Sequence, residues 1–337
     1  MTVGAPILSV PKPPRSSLRA TRSAPGAGDR IFRGGSRLAA VAVVGVIGSI
    51  GLFLTIRAIP ALGVAKLHFL TTQQWEPDDH RFGVGGILPD TIFIALVALV
   101  VSLPISLGLS LYISEIAPNR LKRVLISLVD LMAAVPSVVY ALWGFLYLQT
   151  HTFGVSRFLS TWFGWIPIFK SVGASSSSVL GSANAFTAST FIVGLTVSMM
   201  VIPIQCSVMR EAFSQAPLGE REGAYALGGN RWGMITTVVI PFGKGGIVGG
   251  TMLGLGRALG ETIAVYLIIS PVYNINTHIL QPGGNSISAL IALQFSDASK
   301  FGTSALMAAG LTLFAITLII NFGASAIVGR SRSGAES

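Results

Sequence analysis

The chain has 337 residues, 51% of them hydrophobic and only 11% charged, with a mean hydropathy of +0.71, whereas a soluble domain carries about a quarter charged residues. That balance excludes an ordinary water-soluble enzyme. The single cysteine, Cys206, excludes an intrachain disulfide framework or a cysteine metal cluster and reads as a small buried core residue.

In chain order, residues 1–37 are rich in Pro, Ser, Gly and Arg without apolar periodicity, and are expected to form a disordered basic arm at an anionic cytoplasmic leaflet. A hydrocarbon core about 30 Å thick needs roughly 20 apolar residues per helix. Six stretches qualify: Leu38 to Ile56, Thr91 to Ile113, Val124 to Thr150, Phe186 to Val208, Gly245 to Tyr273, and Ser304 to Ile327. The first is read as a retained helix and not as a cleaved signal peptide, whose apolar region spans only about 7–15 residues. The expected fold class is therefore all-α: a polytopic membrane protein with six transmembrane helices over residues 38–327 and a short tail at 328–337.

The formal charge of +10 raises nucleic acid as a partner, and the distribution of basic residues decides against it. With a cytoplasmic N-terminus, 16 of the 23 Lys and Arg fall on inward segments and 6 on outward ones, while Arg257 lies inside the fifth helix. This is the positive-inside bias of a bacterial inner (plasma) membrane protein with both termini cytoplasmic. The outward loops are too poor in basic residues for the groove that nucleic-acid binders use.

Within this frame, Asp90 opens helix two and is read as an N-cap. Asp130 lies about two turns into helix three, and Pro136 is expected to kink that helix and free a backbone carbonyl. Asp130 and Tyr140 are candidates for lining a pathway, with plain bundle packing as the alternative. Trp162, Phe163, Trp165 and Phe169 suit the headgroup layer and predict an interfacial helix or re-entrant turn over 157–170. Gly173 to Ser178 is a flexible tether by composition.

The inward loop at 210–241 carries Glu222-Gly223-Ala224, then Gly228, then Val238-Val239-Ile240-Pro241. It resembles the EAA loop of binding-protein-dependent ABC importers: Glu-Ala-Ala, three residues, Gly, nine residues, Ile-x-Leu-Pro. Glu222, Ala224, Gly228 and Pro241 match at that spacing, and Gly223, Val238 and Ile240 depart mildly from it. The resemblance implies a short helix, a turn at the Gly and a second helix along the membrane surface, docking in a groove of an ATP-binding subunit. Glycine can adopt the positive φ that ends a helix, and small residues let a partner approach closely.

Helix five carries Gly254-Leu255-Gly256-Arg257-Ala258-Leu259-Gly260-Glu261-Thr262. A central Arg or acid costs about 2.5–3.5 kcal/mol on insertion scales, so both charges call for a reason. On a continuous helix their i, i+4 spacing puts them on nearly one face. Arg257 is the expected anion contact, since a guanidinium fork suits a tetrahedral oxyanion, and Glu261 is expected to hold it between encounters. A self-neutralising salt bridge is the structural alternative. Glycines at helix-packing spacing (245/249, 246/250, 250/254, 256/260) place helix five inside a bundle.

Together with Leu111 to Pro118 and Val135 to Gly144, the Gly254 to Val265 stretch resembles the phosphate-specific ABC permease family, PstC type, from helix two to helix six. That resemblance implies type I importer architecture and a pathway shared with a homologous PstA-type permease. It further implies two copies of an ATP-binding subunit that bind ATP and Mg, and an extracytoplasmic phosphate-binding protein. By motif match, Arg257 and Glu261 would serve phosphate passage. The chain itself has no Gly-x-x-x-x-Gly-Lys-Ser/Thr, no Gly-x-Ser-x-Gly and only four scattered His, so no cofactor, metal or catalytic residue is expected in it. A permease for sulfate or molybdate, or a stand-alone ion-coupled carrier, are the alternatives.

Overall fold

Inside a bilayer every backbone N–H and C=O must find a partner within the protein, and the apolar stretches answer this by forming helices. The computed structural model describes residues 27–170 and 186–332. Residues 1–26 of the expected arm, the Gly173 to Ser178 tether and residues 333–337 lie outside the described residues.

Helix α1 spans Ala27–Ala65. It starts well before Leu38, so residues 27–37, expected within the disordered arm, are helical. Helix propagation adds one hydrogen bond per residue once nucleated, and Gly34 and Gly35, at about 1 kcal/mol each, do not stop it. Residues 1–50 form one unit, with the described α1 side chains there almost all exposed, and residues 51–337 form the second.

In the second unit, α1 gives way to a 3-10 turn, Lys66–Leu70, and a two-stranded antiparallel hairpin, β1 (Trp75–Glu76) and β2 (Arg81–Phe82), in the register Trp75 to Phe82. Phe82 packs edge-on against both Phe69 and Trp75. Helix α2, Ile87–Ile116, follows; its last turn, Tyr112–Ile116, widens to π geometry. Asp90 is not its N-cap. Gly86 holds that position, and Asp90 is fully buried a turn inside the helix.

Helices α3 (Asn119–Ala134) and α4 (Ser137–His151) meet at a 90° bend. The proline does more than kink this span, because Val135 and Pro136 are both extended (ψ 129° and 141°). Proline disfavours helical geometry at the residue before it. Helix α5, Phe153–Phe163, then leads through a turn to the 3-10 segment Pro167–Phe169. Trp162 and Trp165 there are 70% and 80% exposed.

Helix α6, Thr190–Ser214, is the centre of the bundle, with side chains buried on most of its faces. Helices α7 (Leu218–Ala226) and α8 (Arg231–Leu259) follow, then α9 (Ile263–Ile268), α10 (Ile287–Gln294) and α11 (Lys300–Arg332). The main core joins Ile94 and Ala98 of α2, Ile192, Val197 and Val201 of α6, Leu259 of α8 and Val265 of α9. Many other large apolar residues are exposed on the bundle's outside, among them Val100, Leu131 and Leu146, as lipid or a partner chain permits.

Among the described residues five helices are long and apolar enough to cross a membrane, or six if the bent α3–α4 pair is one span. The fifth departs most from expectation, for α8 ends at Leu259 and the chain is non-helical from Gly260 to Thr262. Gly260 is a poor helix former, and the Glu261 carboxylate supplies a competing local bond, accepting from Ala264 N at 3.3 Å at the start of α9.

Candidate functional site

The α8 glycines divide between two faces. A Cβ built at Gly250 would stand 3.2 Å from the Gln205 carbonyl oxygen of α6, and one at Gly254 would stand 2.5 Å from Gln205 Nε2. This row lets α8 and α6 touch backbone to backbone. Gly249 and Gly256 meet nothing within 4 Å and instead border an open groove of about 730 Å³ lined by Ile204, Gly249, Met252, Leu253, Gly256, Arg257 and Asn321.

Among the described residues lining that groove, Arg257 is the one that carries a charge. It makes no ion pair or hydrogen bond with the described residues, and its Nε is buried without a partner. An ion pair does form between Arg221 and Glu115, elsewhere in the fold. The expected Arg257–Glu261 bridge is therefore absent. The break at Gly260 removes the continuous helix that would have put both on one face. Glu261 is 7% exposed; its carboxylate caps α9, and its carbonyl accepts from Ser286 Oγ at 3.3 Å and Ser288 Oγ at 3.2 Å.

Tyr140 does come near, lying within electrostatic reach of Arg257. Its hydroxyl donates to Met132 O at 2.9 Å, so the carbonyl that Pro136 leaves without its helical donor accepts from Tyr140 across the bend as well as from Val135 N at 3.3 Å. Asp130 is exposed on α3 and its charge reaches Cys206 of α6; it does not line the Arg257 groove. Cys206 is fully buried beside Ile113 and Val129.

The loop at 210–241 has the first helix and the turn that the resemblance implies, but not its second helix. Helix α7 carries Glu222, Gly223 and Ala224 and ends in a turn where Gly228 has φ +82° and Gly229 N donates to Ala224 O at 3.0 Å. Beyond Asn230, whose side chain caps α8 by accepting from Gly233 N at 2.7 Å, no separate surface helix forms. The chain runs straight into α8, and Pro241 is absorbed by the wide turn Ile235–Val239 just before it. A π turn accommodates a missing N–H that a regular helix could not. Leu227 is 92% exposed and Leu218 70%, leaving an apolar face that none of the described residues covers. Gly223 and Ala224 border a cleft of about 550 Å³ beneath it.

Sequence reasoning did not single out Gln205 or Asn321, and it read the buried Asp90 as an N-cap. Gln205 of α6 is fully buried and accepts from Ser106 Oγ at 2.9 Å, with its Nε2 unpartnered. Asp90 ties α2 to the segment before α10, its Oδ2 accepting from Asn285 N at 3.1 Å. Asn321 enters the groove from α11. Each is a polar residue in an apolar run, the one signal that could have found them. Among the described residues no three His, Cys, Asp or Glu gather as a metal-ligand set.

Several membrane-length helices, a guanidinium at Arg257 without a partner among the described residues, and an exposed helical loop fit the membrane-spanning subunit of a transporter. The chain belongs to the family described as binding-protein-dependent transport system inner membrane component, whose model matches residues 105–333. It is 36% identical over 311 residues, 91% of this chain and 94% of the relative, to the phosphate transport system permease protein PstC 2 of Mycobacterium tuberculosis. It is 34% identical to the phosphate transport system permease protein PstC of Mycobacterium leprae, over 91% of this chain and 95% of that one. A chain from the crystal structure of a bacterial ABC transporter involved in alginate import matches in fold, with a TM-score of 0.55 at 19% identity, covering 89% of this chain and 99% of that one.

Proposed function

We propose that this chain is the membrane permease subunit of an ATP-driven importer of inorganic phosphate, with both termini cytoplasmic. It forms the pathway with a homologous PstA-type permease, receives phosphate from an extracytoplasmic binding protein, and is driven by two copies of an ATP-binding subunit that dock on α7 and the Gly228 turn. ATP and Mg are bound by that partner, and this chain hydrolyses nothing itself.

The observation that carries the substrate is Arg257. A partly buried guanidinium without a carboxylate partner among the described residues, in a groove it shares with Asn321, is built to receive an oxyanion. The phosphate permease names of relatives that match nearly the full chain support the same choice. Glu261 then serves Arg257 indirectly, by fixing the break that ends α8 beside it.

The test is ATP-dependent uptake of labelled phosphate into proteoliposomes holding the complete transporter, with sulfate and molybdate as competitors. Phosphate uptake that resists both is expected. Inhibition by sulfate or molybdate at equal concentration would move the reading to another oxyanion.

A further inference from the structure

Helix α7 presents a mechanical problem. None of its residues is fully buried, and its packing on the bundle comes from the partly buried Ala224 against the cluster of Met209, Phe213 and Met234, so packing alone holds it weakly. Two hydrogen bonds from one side chain hold it: Arg221 Nη1 donates to Glu115 Oε2 at 3.0 Å, and Nη2 donates to Phe213 O at 2.7 Å. Glu115 lies on the π turn that ends α2, and Phe213 on the last turn of α6.

The acceptor is well set for this. The Glu115 side chain is 3% exposed and that of Arg221 18%. Ser114 Oγ donates to Glu115 Oε1 at 2.9 Å, so both carboxylate oxygens are engaged. Lys122 Nζ donates to Ser114 O at 3.4 Å and braces the same turn from α3. A buried charge pair with satisfied oxygens has a narrow geometry. A π turn also aims its side chains differently from a regular helix.

We propose that Glu115 and Arg221 are positioning residues for energy coupling: their ion pair makes α7 move as one body with the C-terminal ends of α2 and α6. A push on α7 is then delivered to the two most closely packed helices of the bundle, one of which, α6, lines the Arg257 groove through Ile204. This rests on the reading of α7 and Gly228 as the ATPase docking loop.

The experiment uses the complete transporter in proteoliposomes and reads phosphate imported per ATP hydrolysed. Replacing a buried ion pair by apolar residues of similar size is close to neutral for folding, whereas removing one partner strands a charge. Glu115→Leu with Arg221→Met is therefore expected to assemble and hydrolyse ATP, with import per ATP falling at least tenfold. Arg221→Lys, keeping the charge but not the two-point reach, is expected to fall between. In a Cys206→Ser background, Glu115→Cys with Arg221→Cys joined by a bifunctional thiol reagent of matching span should recover import, and cleaving the tether should abolish it.

Wild-type import per ATP in both the double variant and Arg221→Lys would overturn the proposal, as would failure of the tether to restore it. Should the double variant not assemble, Arg221→Lys and the tethered pair carry the same decision. A cysteine at Ala224 that never cross-links to the ATP-binding subunit would overturn the docking-loop reading itself. A normal Ala224 cross-link with unchanged coupling would sink only the ion-pair proposal.

Discussion

A cation inside a bilayer is costly, and Arg257 bears that cost without a carboxylate beside it. Its fixed position comes from the α8 backbone, its partial desolvation from Met252, Leu253 and Ile204, and its free hydrogen-bonding capacity from the break that carries Glu261 away. Hydrogen bonds to a charged group contribute about 1.5–3 kcal/mol. Arg257→Gln is therefore expected to lower phosphate uptake by roughly 10- to 150-fold with the subunits still co-purifying. Arg257→Lys should fall between, having lost the planar fork. Glu261 behaves differently. Glu261→Ala removes the α9 cap and should lower thermal stability by about 1 kcal/mol, while Glu261→Gln keeps an acceptor oxygen and should retain most of it. Equal stability of Glu261→Ala and the wild type would remove the capping role.

Between elements, the α6–α8 contact and the Gly228 turn each make a separable demand. Gly254→Ala places a methyl against Gln205 and is expected to destabilise the protein by about 1–3 kcal/mol. Gly256→Ala meets open space, and should be neutral or gain up to about 1 kcal/mol from helix propensity. Thermal unfolding of the two variants in one detergent checks the difference; equal shifts would mean the glycine rows are not divided as described. At Gly228, φ +82° suits glycine and strains a β-branched residue by about 1–3 kcal/mol. Gly228→Val should insert normally and lose import, because the strain falls on the turn the ATPase would meet. Normal import in that variant would show that the turn geometry is not used in coupling.

At the scale of the whole molecule, orientation can be read with two exposed positions. Leu227→Cys and Trp165→Cys, each in a Cys206→Ser background, should react with a membrane-impermeant maleimide from opposite sides, Leu227 from the cytoplasm and Trp165 from outside. Labelling of both from one side would end the topology. The membrane spans, the unusual charge at Arg257 and the turn at Gly228 were legible in the residues themselves. Each depends on local chemistry: an apolar run must satisfy its backbone within a helix, a cation in such a run is exceptional, and only glycine takes that φ cheaply. The end of α8 at Leu259, the depth of the α3–α4 bend, the union of the loop's second helix with α8 and the pairing of Arg221 with Glu115 were decided by tertiary structure. A helix stops, or a charge finds its partner, according to which distant groups compete for it. Ser286 and Ser288 hold the Glu261 carbonyl from the start of α10, and Glu115 meets an arginine 106 residues away, at separations where periodicity along the chain carries no information.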